Sequence, residues 1–358
     1  MNKSSQEHYI GCLLGGAVGD ALGAPTEFMS LDDILQQYGQ DGVAEYVEYH
    51  DQIGRFTDDT QMTLFTAEGL LRSMNRAVKK GIGGAYLKIV HESYLRWLHT
   101  QDGYFGRLPA GQHVYDGWLL EQELLYKRRA PGMTCMGSLR SGKSGSIDQP
   151  INHSKGCGGV MRMAPVGLLF PDPEEAFKIG AELAALTHGH PCGYLSAGAL
   201  AAIIAFINQG RALDKAIAET LGILGKWDHH AETTQAIHKA IDLFEKKQPS
   251  FKNLESLGGG WVGEEALAMA LYCALSYPDD FEKAIVLSIN HSGDTDSTGA
   301  IAGNILGLSL GQSAIPQRWQ DHLELAGLVR EVAEDLHTGH RGNSDDWDEE
   351  WDRKYPGH

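Results

Sequence analysis

Glycines recur at every fourth residue in two segments far apart in this chain, and no other feature restricts its folding as strongly. Gly11, Gly15, Gly19 and Gly23 mark the first segment, GCLLGGAVGDALGAPTEF. Gly299, Gly303, Gly307 and Gly311 mark the second, within NHSGDTDSTGAIAGNILGLSLG. The intervening residues are mostly apolar or small, so both segments read as helices with one face bare of side chains. Each interior glycine lowers helix propensity by about 1 kcal/mol against alanine, so four in register need a packing reason. Bare faces let two backbones approach closely, and the two helices are expected to cross and bring both ends of the chain together.

Acidic residues stand at the ends of these segments. Asp294 and Asp296, with the hydroxyls of Thr295, Ser297 and Thr298, lead into the second glycine helix, and Glu27 follows the first. A third acidic knot, Phe56-Thr57-Asp58-Asp59-Thr60, precedes an apolar helix from Met62 to Leu71. Alternate residues of an extended turn point to one side, so Asp294 and Asp296 can converge. Each pair alone reads as a helix cap, with Thr57 or Asp58 a suitable N-cap. Together they form a cluster of four or five carboxylates, which repels itself unless cations neutralise it. The oxygen-only donor set, with no nearby cysteine or paired histidine, points to Mg²⁺, Mn²⁺ or Ca²⁺ rather than zinc.

Charge narrows the partners. The 30 Lys and Arg residues face 47 Asp and Glu, a formal charge of −17, which argues against nucleic acid and against an acidic membrane surface. A phosphorylated substrate would then be held by backbone N–H groups and metals rather than by a basic surface. Cys12, Cys135, Cys157, Cys192 and Cys273 show no C-x-x-C spacing. Reduced thiols in a cytoplasmic protein are expected from an odd count without a framework. Lys3 and the Tyr9–Val18 run are not read as a signal segment, because Glu7, His8 and Asp20 flank the run and its glycines serve a helix. No apolar run is read as reaching the roughly 18 residues of a membrane span.

Helical periodicity fills most of the remaining chain. Helices are expected at 85–99, 116–129, 174–187, 194–208, 212–225, 231–247, 264–276, 281–288 and 317–336, the 194–207 stretch being apolar almost all round and therefore central. Strand-like alternation, a fixed repeat and a linker are all missing, so the fold class is all-α and residues 1–358 form one domain. The interval 100–155 is rich in Gly, Ser, Pro and Arg, and reads as a long lid or wall. The acidic tail from Ser344 to Lys354 is expected to be anchored by Trp347, Trp351 and Tyr355.

Other candidates are local. Lys155-Gly156-Cys157-Gly158-Gly159 is a plain turn or a backbone cradle for phosphate, and it lacks the P-loop ending. His188-Gly-His190 and the His229, His230 and Glu232 group lack a zinc-protease register, and helix-end or core roles are preferred. Asp102 reads as a turn former that could face a substrate within the long loop. Cys157 is a nucleophile only if another segment supplies a base.

The segments GCLLGGAVGDALGAPTEF, FTDDTQMT, SKGCGGVMRMAPVGLL, LTHGHPCGYLSAGALA, GGGWVGEEALAMALYCAL and NHSGDTDSTGAIAGNILG, in this order, resemble the ADP-ribosylglycohydrolase family over nearly the whole chain. The resemblance implies a compact orthogonal helical bundle with two Mg²⁺ or Mn²⁺ ions in a cleft. It implies that Thr57, Asp58, Asp59, Asp294, Asp296 and the Ser297 hydroxyl are metal ligands, some relatives having Thr in place of Ser297. Glu27 matches the glutamate that borders the metals and contacts substrate or attacking water. Ser154, Gly156, Gly158 and Gly159 match the segment along the diphosphate, and His188 a position near the ribose. Asp102 is placed with Glu27 as a candidate for proton transfer. The implied activity is release of ADP-ribose from a modified protein, with arginine as the linkage. Alternatives are ADP-ribosyl-serine, O-acetyl-ADP-ribose, another conjugate, or an immunity protein that binds or reverses an ADP-ribosyltransferase toxin. A monomer is expected.

Overall fold

The computed structural model describes residues 5–106, 114–341 and 349–357. The chain opens with α1 (Gln6–Gly23) and α2 (Leu31–Tyr38), then passes through coil to α3 (Asp58–Lys80), α4 (Tyr86–Asp102) and α5 (Met133–Arg140). The middle holds α6 (Ala164–Leu169), α7 (Pro173–Ala185), α8 (Pro191–Asn208), α9 (Leu213–Leu224), α10 (Ala231–Lys246), α11 (Phe251–Glu255) and α12 (Gly263–Ser276). Then come α13 (Phe281–Ser288), α14 (Thr295–Leu310), α15 (Gln317–His322), α16 (Ala326–Arg341) and α17 (Glu349–Lys354). Among the described residues there is no β-strand, only two isolated bridges. The fold is all-α, as the sequence predicts.

The glycine faces meet as expected. A methyl group added at Gly11, Gly15 or Gly19 would overlap the carbonyl of Gly307, Gly303 or Gly299 respectively. The reverse additions overlap the carbonyls of the first helix, so α1 and α14 run antiparallel with backbone against backbone. Gly23 faces the Thr295 carbonyl, which puts the C-terminus of α1 beside the N-terminus of α14. Asn304 crosses the seam to donate to the Cys12 carbonyl at 2.8 Å. In this way the glycine register sets the acidic start of α14 next to the turn that carries Glu27.

The main core draws on residues from Tyr9 to Tyr355 and is built around α8, whose residues Cys192 to Asn208 are all buried, while a smaller cluster about Leu254, Met269 and Tyr272 lies apart from it. That helix does reach the length and hydropathy of a membrane span, against the reading of the sequence. Its apolar girdle is explained by burial, since 94% of it lies inside the protein.

Two expected helices take another form. The 116–129 interval is not an α-helix but two single 3₁₀ turns, Trp118–Glu121 and Glu123–Tyr126, separated at an extended Gln122. Gly117, at φ 98°, lets the chain pass close over the Glu68–Arg72 pair before the first of them. The 317–336 interval breaks between α15 and α16, where Leu325 takes φ 50°. Of the expected tail anchors, Trp351 and Tyr355 are buried, while Trp347 lies outside the described residues.

Candidate active site

The first acidic knot is organised by its own cap. Thr57 is the N-cap of α3, its hydroxyl accepting the Asp59 N–H at 3.3 Å. Asp58 and Asp59 fill the first turn, where the helix dipole favours negative charge, and both are 4% exposed. The turn is held from α1 by Asp20, which accepts from the Thr57 N–H, the Thr60 N–H and the Thr60 hydroxyl at 2.9, 2.9 and 2.6 Å. Asp20 was missed in the sequence. Its only local signal was a charged residue inside an otherwise apolar, glycine-faced helix.

The second knot mirrors the first. Asp294 is the N-cap of α14, accepting from the Ser297 N–H at 3.3 Å, and Asp296 accepts the same N–H at 2.9 Å. The two knots touch through Ser297, whose hydroxyl donates to Asp59 at 2.8 Å. Asp58 is steadied by the Gly132 N–H at 3.0 Å, and the Cys157 thiol donates to Asp294 at 2.8 Å. Burial, followed by the charges of Asp294 and Asp59, pushes the Cys157 thiol well up, opposite to the lowered range of reactive thiols.

These groups line one cavity of about 420 Å³ together with Glu27, Gly156, Gly158 and His188. Phe28 and Trp261 stack at its rim with ring centroids 5.2 Å apart. Burial, then repulsion from Asp296 and other carboxylates, holds Asp20 up at about 7 and Glu27 up at about 10. Burial is also the main cause that holds Asp58, Asp59 and Asp294 well above the usual carboxylate range. No Lys or Arg ion pair offsets these six carboxylates, counting Asp296, among the described residues. A dense set of hard oxygen donors without protein cations is a fit for divalent cations such as Mg²⁺ or Mn²⁺.

The remaining expected residues separate into two groups. Gly156 and Gly158 border the cavity and pack against the His188 ring, whose Nδ1 meets the Thr187 hydroxyl at 2.9 Å. Burial, aided by Arg162, lowers His188 to about 3, so its ring is neutral. Ser154 and Gly159 do not line the cavity. Ser154 accepts the Gly156 N–H at 3.1 Å and so shapes the loop, and Gly159 faces the Gly193 carbonyl on α8. Thr57 is wholly buried beneath the acidic turn. Asp102 is not brought to the cleft: at the end of α4 it is ion-paired with Arg140, and Arg140 lowers its carboxyl from the ordinary value.

The chain is similar to known proteins over nearly its whole length. The family profile described as ADP-ribosylglycohydrolase matches residues 1–346. The ADP-ribosyl-[dinitrogen reductase] glycohydrolase of Rhodospirillum rubrum is 25% identical, over 92% of this chain and 94% of its own. The ADP-ribosylarginine hydrolase Tri1 of Serratia proteamaculans is 26% identical, over 91% of this chain and 78% of its own. A solved structure described as an ADP-ribosylglycohydrolase-related protein complex shares the fold at TM-score 0.67 and 24% identity, covering 94% of this chain and 98% of that one. The profile match spans the glycine seam, both acidic knots and the loop beside His188, and the chain belongs to the ADP-ribosylglycohydrolase family.

Proposed function

We propose that this protein is a metal-dependent hydrolase that removes ADP-ribose from modified proteins by cleaving the N-glycosidic bond to arginine. The observation that carries the reading is the cleft itself. Asp58, Asp59, Asp294 and Asp296 are buried together from two helix N-termini, with Glu27 beside them and, among the described residues, no Lys or Arg ion pair to balance them. Thr57 and Ser297 add hydroxyls to the four aspartates, and this set would hold two Mg²⁺ or Mn²⁺ ions. When bound, such ions supply Lewis-acid charge that orients vicinal ribose hydroxyls and acidifies water.

The chain's own residues do the rest. Beside neutral His188 we assign the Gly158 N–H, rather than a side-chain charge, to a diphosphate, since the Gly156 and Cys157 N–H groups are already bonded to the Ser154 hydroxyl and the Trp261 carbonyl. Glu27 stands at the cavity edge and is the carboxyl assigned to proton transfer. In the reaction, water adds its oxygen to the anomeric carbon as the bond to the guanidine nitrogen breaks through an oxocarbenium-like state. The leaving guanidine takes up a proton, which suits a cleft dominated by carboxyl groups. The arginine linkage is supported by the likeness to Tri1, named as an ADP-ribosylarginine hydrolase. We read the chain as one domain, acting as a cytoplasmic monomer.

The test is release of ADP-ribose from arginine-modified and serine-modified proteins in parallel, with Mg²⁺, Mn²⁺ or EDTA. Metal-dependent release from arginine is expected. Release from serine alone would replace the linkage and keep the site, and release in EDTA would remove the metal from the reading.

A further inference from the structure

His190 and Glu232, from the two histidine-bearing segments, meet outside the lining of the acidic cleft, to which only His188 of those segments belongs. His190 caps α8 through Nδ1, which accepts the Cys192 N–H at 3.1 Å, so Nε2 is the ring atom left to bind another partner. Glu232, in the first turn of α10, accepts the Cys192 thiol at 2.9 Å. One ligating atom from each of His190, Cys192 and Glu232 lies within 4.8 Å of the others. Glu264, in the first turn of α12, is 8% exposed, and its Oε2 is buried without a hydrogen-bond partner. Lys155 joins the group, with Nζ 2.6 Å from Glu232 and 3.7 Å from Glu264.

A helix cap needs only the His190 Nδ1, and it explains neither the thiol beside Glu232 nor the orphaned carboxylate oxygen of Glu264. Nitrogen, sulfur and oxygen donors from three helices suit zinc, whereas the oxygen-only cleft suits hard cations. We propose that His190 Nε2, Cys192 Sγ and the Glu232 carboxylate, with Glu264 as fourth ligand, form a Zn²⁺ site distinct from the acidic cleft. On binding, the Cys192 thiol gives its proton to solvent, and Lys155 yields Glu232 to the metal. Ligation then replaces one cation on Glu232 with another and satisfies the Glu264 oxygen. Lys155 directly precedes Gly156, so occupancy of this site is felt at the loop that borders the cleft.

The experiment uses Co²⁺ as a spectroscopic stand-in for Zn²⁺, titrated into chelator-stripped full-length protein with excess Mg²⁺ present. A thiolate-to-cobalt charge-transfer band is expected, removed by added Zn²⁺. Cys192→Ser should abolish the band, His190→Ala should weaken cobalt binding by about tenfold or more, and Cys157→Ser should keep it. No band in the folded wild type, a band that survives Cys192→Ser, or one that disappears with Cys157→Ser would overturn the site. If circular dichroism shows Cys192→Ser unfolded, exposed Glu232→Gln decides instead, and unchanged cobalt affinity in that variant overturns the proposal.

Discussion

Carboxylates are buried in two contrasting ways in this molecule. Glu68, 1% exposed on α3, is held between Arg72 at 3.0 Å and Arg96 at 2.8 Å, with the Ser93 hydroxyl also donating to it. Ten and nine residues earlier on the same helix, Asp58 and Asp59 are also buried but meet the Gly132 N–H, the Ser297 hydroxyl and other carboxylates, with no ion pair among the described residues. Removing a charge from water is expensive unless it is paired. Around Glu68 the protein supplies the countercharge itself. In the cleft no such countercharge is supplied among the described residues, which is the basis for the proposed cation site.

The largest effect should come from disturbing the balanced region. Arg96→Met leaves Glu68 short of one partner in a closed interior and is expected to destabilise the fold by about 3–5 kcal/mol in chemical denaturation. Activity in the surviving folded fraction should be near normal; a stable Arg96→Met protein would erase the distinction.

Next comes the unbalanced region. Asp294→Asn should lower ADP-ribose release by at least about a hundredfold, the scale of losing one charge-stabilising group in an active site. Its helical content should persist, and in EDTA it should melt no lower than the wild type, because one repelling charge is gone. A variant that melts lower in EDTA would mean that Asp294 is structural in the way Glu68 is.

A smaller, pH-dependent effect separates the regions without mutation. Asp20 and Glu27 have folded-state pKa values of about 7 and about 10, above their unfolded values. The folded state therefore binds more protons than the unfolded chain. This contribution to stability is full below the ordinary carboxylate range and is lost as pH rises through about 7 and then about 10. Melting temperature in EDTA should fall across that window. With Mg²⁺ or Mn²⁺ the slope should flatten or reverse, since cations bind the deprotonated carboxylates. An identical slope with and without metal would show that the cleft does not take them.

The smallest effect is assigned to Asp102. Its pairing with Arg140 is at the surface, with side chains 39% and 43% exposed, so Asp102→Asn should leave both turnover and melting essentially unchanged. A clear loss of turnover would return Asp102 to the site.

What the sequence made legible follows physical locality. Four glycines in register state their own packing requirement, and both acidic knots announce themselves at helix starts, so the seam and the two halves of the cleft could be read in advance. Asp20 could not, because its partners Thr57 and Thr60 lie on another helix and become neighbours only after α1 and α3 dock. The His190, Cys192 and Glu232 cluster is hidden for the same reason: each histidine motif is incomplete alone, and α8 and α10 supply one part each. The break at Leu325 was missed because a non-glycine residue at φ 50° leaves no trace in apolar periodicity. The pairing of Asp102 with Arg140 on α5 could not be read in advance either, because the two residues lie on different helices.

The antiparallel seam also carries a schedule for biosynthesis. The first glycine helix leaves the ribosome with its bare face unpartnered, and the strip that covers it follows only later, Thr295 lying 272 residues after Gly23. Until then Asp58 and Asp59 lack Asp294, Asp296 and Ser297, so a nascent chain holds only half of a cation site. Closure of a loop of this length is slow compared with local helix formation. The acidic cleft is therefore completed in one step, when the two glycine faces meet, and a chain stopped before α14 would lack Asp294 and Asp296.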